Sequence, residues 1–597
     1  MATSIKRQYI DLAGVDFKND ESLVNLNRSP DALNIYKDYT TEGNCIQSRP
    51  GYRKLAELDT NSINGIYIYS TNKALVHSGT KLYLWNNFPT VPSTQNLIML
   101  SETMNNNRTS FFSFNNKVYI KDGTNYFVYD GANLNQITSE AFIPTTTINR
   151  SPSGGGTLYQ DVNLLQPKRI NMFCADGTSK DYYLDSTEID SVDEVYINDV
   201  LTTQYTVSLL LGKITFEAAP EKPSRDGEDN VKIVYSKSTV GYIDRIKKCK
   251  ITQIFDNRVF FTGNNDFPNV LFHSELQNPA YVSDLSYYED GTSESAIKSV
   301  TVGNNILWVF KEQNQENATV FYHIPTTSQT YGRIYPSKQG NVSTGCYSTS
   351  INFSDDIVFL SKYGLEGITG NIDEEQLLTH RSSLIDNKLI NTNNYNNSQM
   401  IEWQGYLLVL CDGYIFLADS RQKFQNISSV EYEWYLWNIK NSKPNILKEY
   451  KGKLYIGSTD GCIYIFDGTN DDGEILNAYW TTPMDGFGYS NLLKTTNKRG
   501  GIAKIKTIPN GKIKIAERTN KKDEKYITSK SATGFDYENI DYNNFEYTTK
   551  NESYIVFKIK EKKFLNISLR FYTDELDKPF GLFSAILEAF IGGYVKR

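Results

Sequence analysis

Four histidines, six cysteines and one acidic loop are where this sequence offers material for chemistry. The histidines are His77, His273, His323 and His380. A zinc site built on a helix needs two ligands one turn apart, as in HExxH. No two of these histidines are so spaced, so no metal ligands are assigned. The cysteines, Cys45, Cys174, Cys249, Cys346, Cys411 and Cys462, stand far apart with no CxxC. Reduced thiols, several inside strands, are expected rather than a disulfide framework. The loop 467-DGTNDDGEI-475 resembles a calcium loop only in composition. With Gly473 at the invariant glycine position, Gly468 falls where Asp is needed and Tyr479 where Glu is needed. It is expected to be a turn that closes a repeat.

Phosphate-binding patterns are also missing. The run 153-SGGG-156 lacks the Gly-Lys-Ser/Thr that would follow in a phosphate loop, no GxGxxG opens a helix, and there is no GxSxG. With 69 Asp and Glu, two carboxylates suited to glycoside hydrolysis say nothing until their separation is known. The expectation is therefore no enzyme, with no catalytic, cofactor-binding or metal residue.

The elements that would position any site are strands. Aromatic residues make up 13%, with 42 Tyr and 30 Phe, and helical periodicity is scarce. Tyr, Phe, Ile, Val and Thr favour strands, so an all-β fold is expected. A net charge of -7 argues against a general phosphate binder, which would be basic. The opening residues contain no apolar run, so no secretory signal is expected, and no run reaches the length of a spanning helix, so no membrane anchor is expected.

The stretch 450-YKGKLYIGSTDGCIYIFDG-468 has the grammar of 114-FNNKVYIKDGTNYFVYDG-131: a polar pair, an apolar run, a turn, a second run, then Asp-Gly. Seven stretches match: 71–86, 115–131, 256–274, 303–324, 355–371, 404–420 and 451–468. Their first apolar residues are Ala74, Val118, Val259, Ile306, Ile357, Tyr406 and Leu454, at steps of 44, 141, 47, 51, 49 and 48. Five steps match four-stranded propeller blades of about 40–50 residues. The remaining step, 141, is one such step plus an inserted domain. A four-stranded sheet cannot cover its own two faces, and a ring of such sheets solves that.

The expected architecture is an all-β, about seven-bladed β-propeller with two β-sandwich domains. Residues 1–55 would be an extension carrying a ring-closing strand, 56–143 blades one and two, 144–240 the inserted sandwich, 241–478 blades three to seven, and 479–597 a C-terminal sandwich. The run 151-SPSGGG-156 is expected to be a flexible hinge into the insertion, 519–544 an exposed loop, and 579–597 a buried strand pair or docking segment. Trp434 and Trp437 serve either blade packing or stacking on sugars. Lys498, Arg499, Lys504, Lys506, Lys512 and Lys514 suit a solvated or partner-facing sheet better than a nucleic-acid face.

The N-terminal 11-DLAGVDFKNDESLVNLNRSPDALNIYKDYTTEGNCIQSRPGYRKL-55 resembles the opening of tailed-bacteriophage virion proteins of the propeller type. The matching residues are Gly14, Val15, Asp16 and Phe17, then Ala32 and Asn34, then Arg49, Pro50, Gly51 and Tyr52. The ending, 576-LDKPFGLFSAILEAFIGGYVKR-597, and the stretch 160-QDVNLLQPKRINMFCADG-177 are similar to the corresponding parts of that group. The chain departs from better-known members in length and detail.

The resemblance implies a structural protein of the phage tail or neck, of the nozzle, hub or stabilisation type, conducting or gating DNA during ejection. It implies a homo-oligomeric ring, hexameric by expectation, that contacts portal or adaptor, other tail proteins and, transiently, genomic DNA. The protein would be made in the bacterial host cytoplasm and located in the virion. The alternative is a carbohydrate-binding or glycan-cleaving receptor-recognition propeller of the tail. Pro50-Gly51 is expected to form a type II turn, and 45-CIQSR-49 is placed as the strand that closes the ring.

Overall fold

The computed structural model describes residues 4–40, 44–93, 95–330, 332–368, 378–425, 430–532 and 552–594. Strand accounts for 54% of the protein and helix for 4%, so it is all-β. Residues 369–371 of the fifth repeat, 533–544 of the polar loop and 595–597 of the ending lie outside the described residues.

The recurring polar pair is the central pair of a two-residue hairpin turn. Phe114 pairs with Lys117, Phe255 with Arg258, Gly303 with Ile306, Phe353 with Asp356, Trp403 with Tyr406 and Tyr450 with Lys453. Both turn residues take positive φ, as at Asn304 (53°) and Asn305 (59°). That mirror-image turn matches the twist of antiparallel strands, and Asn, Asp and Gly tolerate it best.

The chain divides into two compact units: Met1–Ile68, Trp85–Leu97 and Cys346–Arg597; and Tyr69–Leu84 with Ile98–Gly345. The second unit contains four-stranded antiparallel sheets at residues 110–136, 251–289 and 297–339. The first contains such sheets at residues 346–380 and 399–438, and a third made of Pro444–Tyr450, Lys453–Ser458, Cys462–Phe466 and Tyr52–Glu57. One more four-stranded sheet, at residues 63–101, is where the division runs. The second strand of a sheet, such as Tyr406–Cys411 or Arg258–Thr262, is buried along its whole length. The first strands of consecutive sheets are neighbours: Cys346–Phe353 lies beside Gln399–Trp403, and Gln399–Trp403 beside Pro444–Tyr450. Sheets buried on both faces and stacked through their first strands are propeller blades.

The insertion, residues 145–236, is two sheets around one core that includes Phe173, Tyr182, Ile214, Phe216 and Ile233. The larger sheet runs in the order Thr157–Leu158, Thr145–Arg150, Lys168–Phe173, Val231–Ser236, Ser191–Ile197, Val200–Leu201. The smaller runs Asp181–Tyr183, Lys213–Phe216, Tyr205–Ser208. The run 151-SPSGGG-156 is a turn between two paired strands of this domain, not a hinge leading into it.

The C-terminal part is also two sheets, and the N-terminal segment is woven into both. Gly581–Tyr594 is one long strand that pairs with Ser4–Tyr9, Cys45–Ser48 and Leu492–Lys506. Of the two expectations for this end, a strand pair or a docking segment, the single strand shared by three partners is the second. Ala32–Leu33 pairs with Ala478–Thr481 in the second sheet. The stretch expected as an exposed loop contains the strand Lys522–Ser531, paired with Lys512–Thr519.

Candidate functional site

The residues that carry the N-terminal resemblance gather in one buried seam. It joins the N-terminal segment to the strand Val430–Asn438, to the loop after Cys462–Phe466 and to the C-terminal sheets. Arg49 is its centre. The side chain is fully buried, and each of its five N–H donors has a partner. Nε donates to Asn34 Oδ1 at 3.0 Å. Nη1 donates to the Pro50 carbonyl at 2.9 Å and to Asp471 Oδ1 at 2.8 Å. Nη2 donates to the Asn438 carbonyl at 2.9 Å and to Asp471 Oδ2 at 2.6 Å. A buried guanidinium is tolerated when a bidentate carboxylate and further acceptors saturate it in this way.

Asn34 sits in the left-handed region (φ 55°). Its backbone N–H donates to Leu436 O, its Nδ2 to Asn477 O, and its Oδ1 also accepts from Asn438 N. Gly14 and Gly51 are required by close approach. A Cβ on Gly14 would lie 2.2 Å from Trp434 O, and one on Gly51 2.0 Å from Asn470 O. Gly51 does not take positive φ, so Pro50-Gly51 is no type II turn. The glycine instead lets the chain run against the 467–473 loop, with Gly51 N bonded to Gly468 O and Asp467 N to Gly51 O, both at 2.9 Å.

This seam also corrects the ring-closing strand. Tyr52–Glu57, just beyond Pro50, pairs with Cys462–Phe466 and completes that blade, whereas Cys45–Ser48 joins the C-terminal sheet. The acidic loop is a turn whose acids serve the seam: Asp471 holds Arg49, and Asp472 accepts from Lys54 N at 2.9 Å. Asp471, Asn438, Trp434 and Asn470 were not singled out as seam residues by sequence. For Asp471 and Asn470 the one signal is that 467-DGTNDDGEI-475 adds acids beyond the Asp-Gly that ends the repeat.

The side chains suited to chemistry are held elsewhere, and of the histidines only His273 and His323 are neighbours, each 5.6 Å from the Tyr288 ring. His77 contacts Thr109 Oγ1 and the Gly79 carbonyl. His273 is pushed down to about 4 by burial. His323 lies 3.2 Å from the buried Asp290 and 2.8 Å from Tyr335 O. Lys121 has an amine pushed down to about 8 by burial, but it donates to Ile246 O and Lys247 O at the end of the helix Tyr242–Lys247. That is a helix cap, not a free nucleophile. Among the described residues no three His, Cys, Asp or Glu are grouped to hold a metal ion. All six cysteines are free thiols.

A cavity of about 320 Å³ borders the seam at Asp16 and Phe17. Its arginines are committed to ion pairs, Arg518 with Glu21 and Arg570 with Asp31 and Glu524. Four of the six C-terminal basic residues are similarly neutralised, Lys506 by Asp38, Lys512 by Glu575, Lys514 by Asp574 and Lys504 by Glu552, while Lys498 and Arg499 are exposed. Trp434 and Trp437 are fully buried, so they pack the blade and present no face to a sugar.

His380 gives a measurable pH dependence. Its Nε2 lies 2.7 Å from Asp386 Oδ2 and its Nδ1 3.1 Å from Glu366 Oε1. Burial opposes its charge, but hydrogen bonds to Asp386 and Glu366, reinforced by their charges, push it from 6.5 up to about 10. A raised folded value means the stabilisation is complete below pH 6.5 and is lost as pH rises through about 10. We expect the His380→Gln variant to fall furthest below the native chain near pH 6 and to converge with it by pH 10, measured by thermal unfolding at each pH.

No family model matches the chain, and no curated protein matches it. Among solved structures, BamB from Moraxella catarrhalis aligns at a TM-score of 0.32 and 10% identity, covering 78% of this chain and 98% of that one. YCF48 bound to D1 peptide aligns at 0.31 and 7%, covering 70% and 98%. The Pan2 WD40 domain of Neurospora crassa aligns at 0.26 and 6%, covering 70% and 95%. These structural neighbours are β-propeller or WD40-like proteins, and none of them is a phage tail protein.

Proposed function

We propose that this chain is a structural virion protein of a tailed bacteriophage, a subunit of the tail or neck ring, of nozzle or hub type, through which DNA leaves the particle. The observation that carries the reading is the seam. Gly14, Asn34, Arg49 and Gly51, residues of the N-terminal resemblance, are all used to tie the chain's first segment to a late blade and the terminal sheets. Such saturated, buried contacts fix the chain's first segment in one place, as a structural subunit requires. The net charge of -7 is compatible with a channel that does not adhere to a passing polyanion. Portal or adaptor and other tail proteins are its partners in this reading. The reading as a glycan-recognition propeller loses its named aromatic platforms, because Trp434 and Trp437 are buried.

The test is mass spectrometry of purified particles from the source, with antibody labelling against the recombinant chain. The expected result is a stoichiometric virion component labelled at the neck or tail. A chain absent from particles, or found only in unassembled lysate, overturns the reading.

A further inference from the structure

The C-terminal sheet that contains Gly581–Tyr594 turns one face to solvent, and that face has an apolar middle and a basic corner. Along its strand Glu552–Phe557 and the residues that follow, the side chains alternate. Ile555, Phe557 and Ile559 are buried, while Tyr554 (55%), Val556 (61%), Lys558 and Lys560 are exposed. Val556 stands opposite Ile502, and Ile502 opposite Ile586, so the three share the outer face. Thr496 N donates to Glu561 O, and Gly501 pairs with Phe557. Between those two anchors Lys498 and Arg499 stand exposed, opposite Lys558 and Lys560. The row from Tyr554 to Lys560 is about 20 Å long.

Positive charge at this corner is not balanced from within the sheet. Residues 492–506, 552–564 and 581–594 hold three carboxylates, Glu552, Glu561 and Glu588. Glu552 is taken by Lys504, and the buried Glu561 by Lys522. Glu588 is taken by Ser4 and Asn497, with Lys6 opposite it. Among the described residues, none of Lys498, Arg499, Lys558 and Lys560 has an ion pair. Their neighbours Lys504 and Lys506, by contrast, are both paired. Exposed aliphatic side chains bordered by unpaired charge of one sign mark an interaction surface.

We propose that this face docks an acidic segment of another protein. The segment's apolar side chains cover Ile502 and Val556, and its Asp and Glu side chains meet Lys498, Arg499, Lys558 and Lys560. Charge complementarity selects an acidic partner. The apolar middle selects a protein, because a nucleic-acid backbone presents phosphate and sugar oxygens and no aliphatic surface to bury. Net charge selects a short segment: a long polyanion would meet the corner and be repelled by the rest of a chain at -7. The partner rests on the virion reading above in one respect: it is sought among the particle's other proteins.

The first measurement is fluorescence anisotropy of a labelled peptide of alternating Glu and Val with the full-length chain. The peptide is expected to bind, less tightly as salt rises, and the same peptide with Lys in place of Glu is expected not to bind. Lys558→Glu should weaken binding roughly tenfold. Lys222→Glu, the same change of net charge placed in the inserted domain, should leave it unchanged. Val556→Ser should weaken it most at high salt, where the charged contacts are screened. All three side chains are exposed, so unchanged melting should accompany the variants. The second measurement is carbodiimide coupling of amines to carboxylates in purified particles, with Lys558 or Lys560 expected to be joined to Asp or Glu of a different protein. Peptide binding that is absent or ignores Lys558→Glu, duplex DNA bound more tightly through the same lysines, or couplings only to a second copy overturns the proposal. If the chain is absent from particles, the virion reading falls and the peptide measurement alone decides this face. If the chain is in particles with Lys558 and Lys560 open to an amine-acylating reagent, the virion reading stands and this docking face falls.

Discussion

Replacing Arg49 by alanine is expected to destabilise the seam by about 3–5 kcal/mol, the usual cost of removing one partner of a buried ion pair. The cost comes from what is left behind. Asp471, whose side chain is only 11% exposed, would be a buried carboxylate without its counter-charge. Asn34 Oδ1 and the Asn438 and Pro50 carbonyls would each lose a donor. The cleanest readout is amide exchange in Tyr52–Glu57 and its partner Cys462–Phe466, because the loss is local and a chain with several domains does not unfold in two states. At about 1.4 kcal/mol per decade, exchange there should accelerate by roughly 10²- to 10³-fold or more. Arg49→Lys keeps the charge but loses the planar fork, and is expected to recover only part of the protection. Protection unchanged in Arg49→Ala would remove the seam from its place in the proposed function.

Much of the propeller is legible because its signal is local. A two-residue turn such as Asn304-Asn305, between two apolar runs, specifies a hairpin with no reference to the rest of the chain. The repeat of that unit at steps of 44 to 51 residues specifies stacked sheets. The seam is different. Arg49 and Asp471 are 422 positions apart, and nothing near either residue names the other. Cys45–Ser48 and Tyr52–Glu57 are both short strands flanking Pro50, and only their distant partners decide which closes the blade. Gly51 shows how one residue type can serve two needs: glycine after proline suits the positive-φ position of a type II turn, but here it admits the Asn470 carbonyl.

Trp437→Ala is expected to destabilise the first unit by about 3–5 kcal/mol, the range for deleting a fully buried large aromatic. Trp437 is 0% exposed and lies within 5.7–5.9 Å, ring centre to ring centre, of Trp403, Tyr36 and Phe466. Those neighbours come from its own blade, the N-terminal segment and the next blade. Its Nε1 donates to Ile35 O at 2.9 Å. The strand Val430–Asn438 is buried at Tyr432, Trp434 and Leu436 and also at Tyr435 and Trp437, so both of its faces are covered. Neighbours so placed cannot collapse into the vacated volume without moving two blades, and the cavity term should therefore be near its upper range. Trp437→Phe retains most of the ring contacts and loses the hydrogen bond, at a cost of about 1–3 kcal/mol for leaving the buried Ile35 carbonyl unpaired. Denaturant unfolding followed by tryptophan fluorescence and far-ultraviolet dichroism should order the chains as native, then phenylalanine, then alanine. A sugar-stacking tryptophan would give the reverse pattern, with stability unchanged and only glycan binding lost, and that outcome would restore the carbohydrate reading.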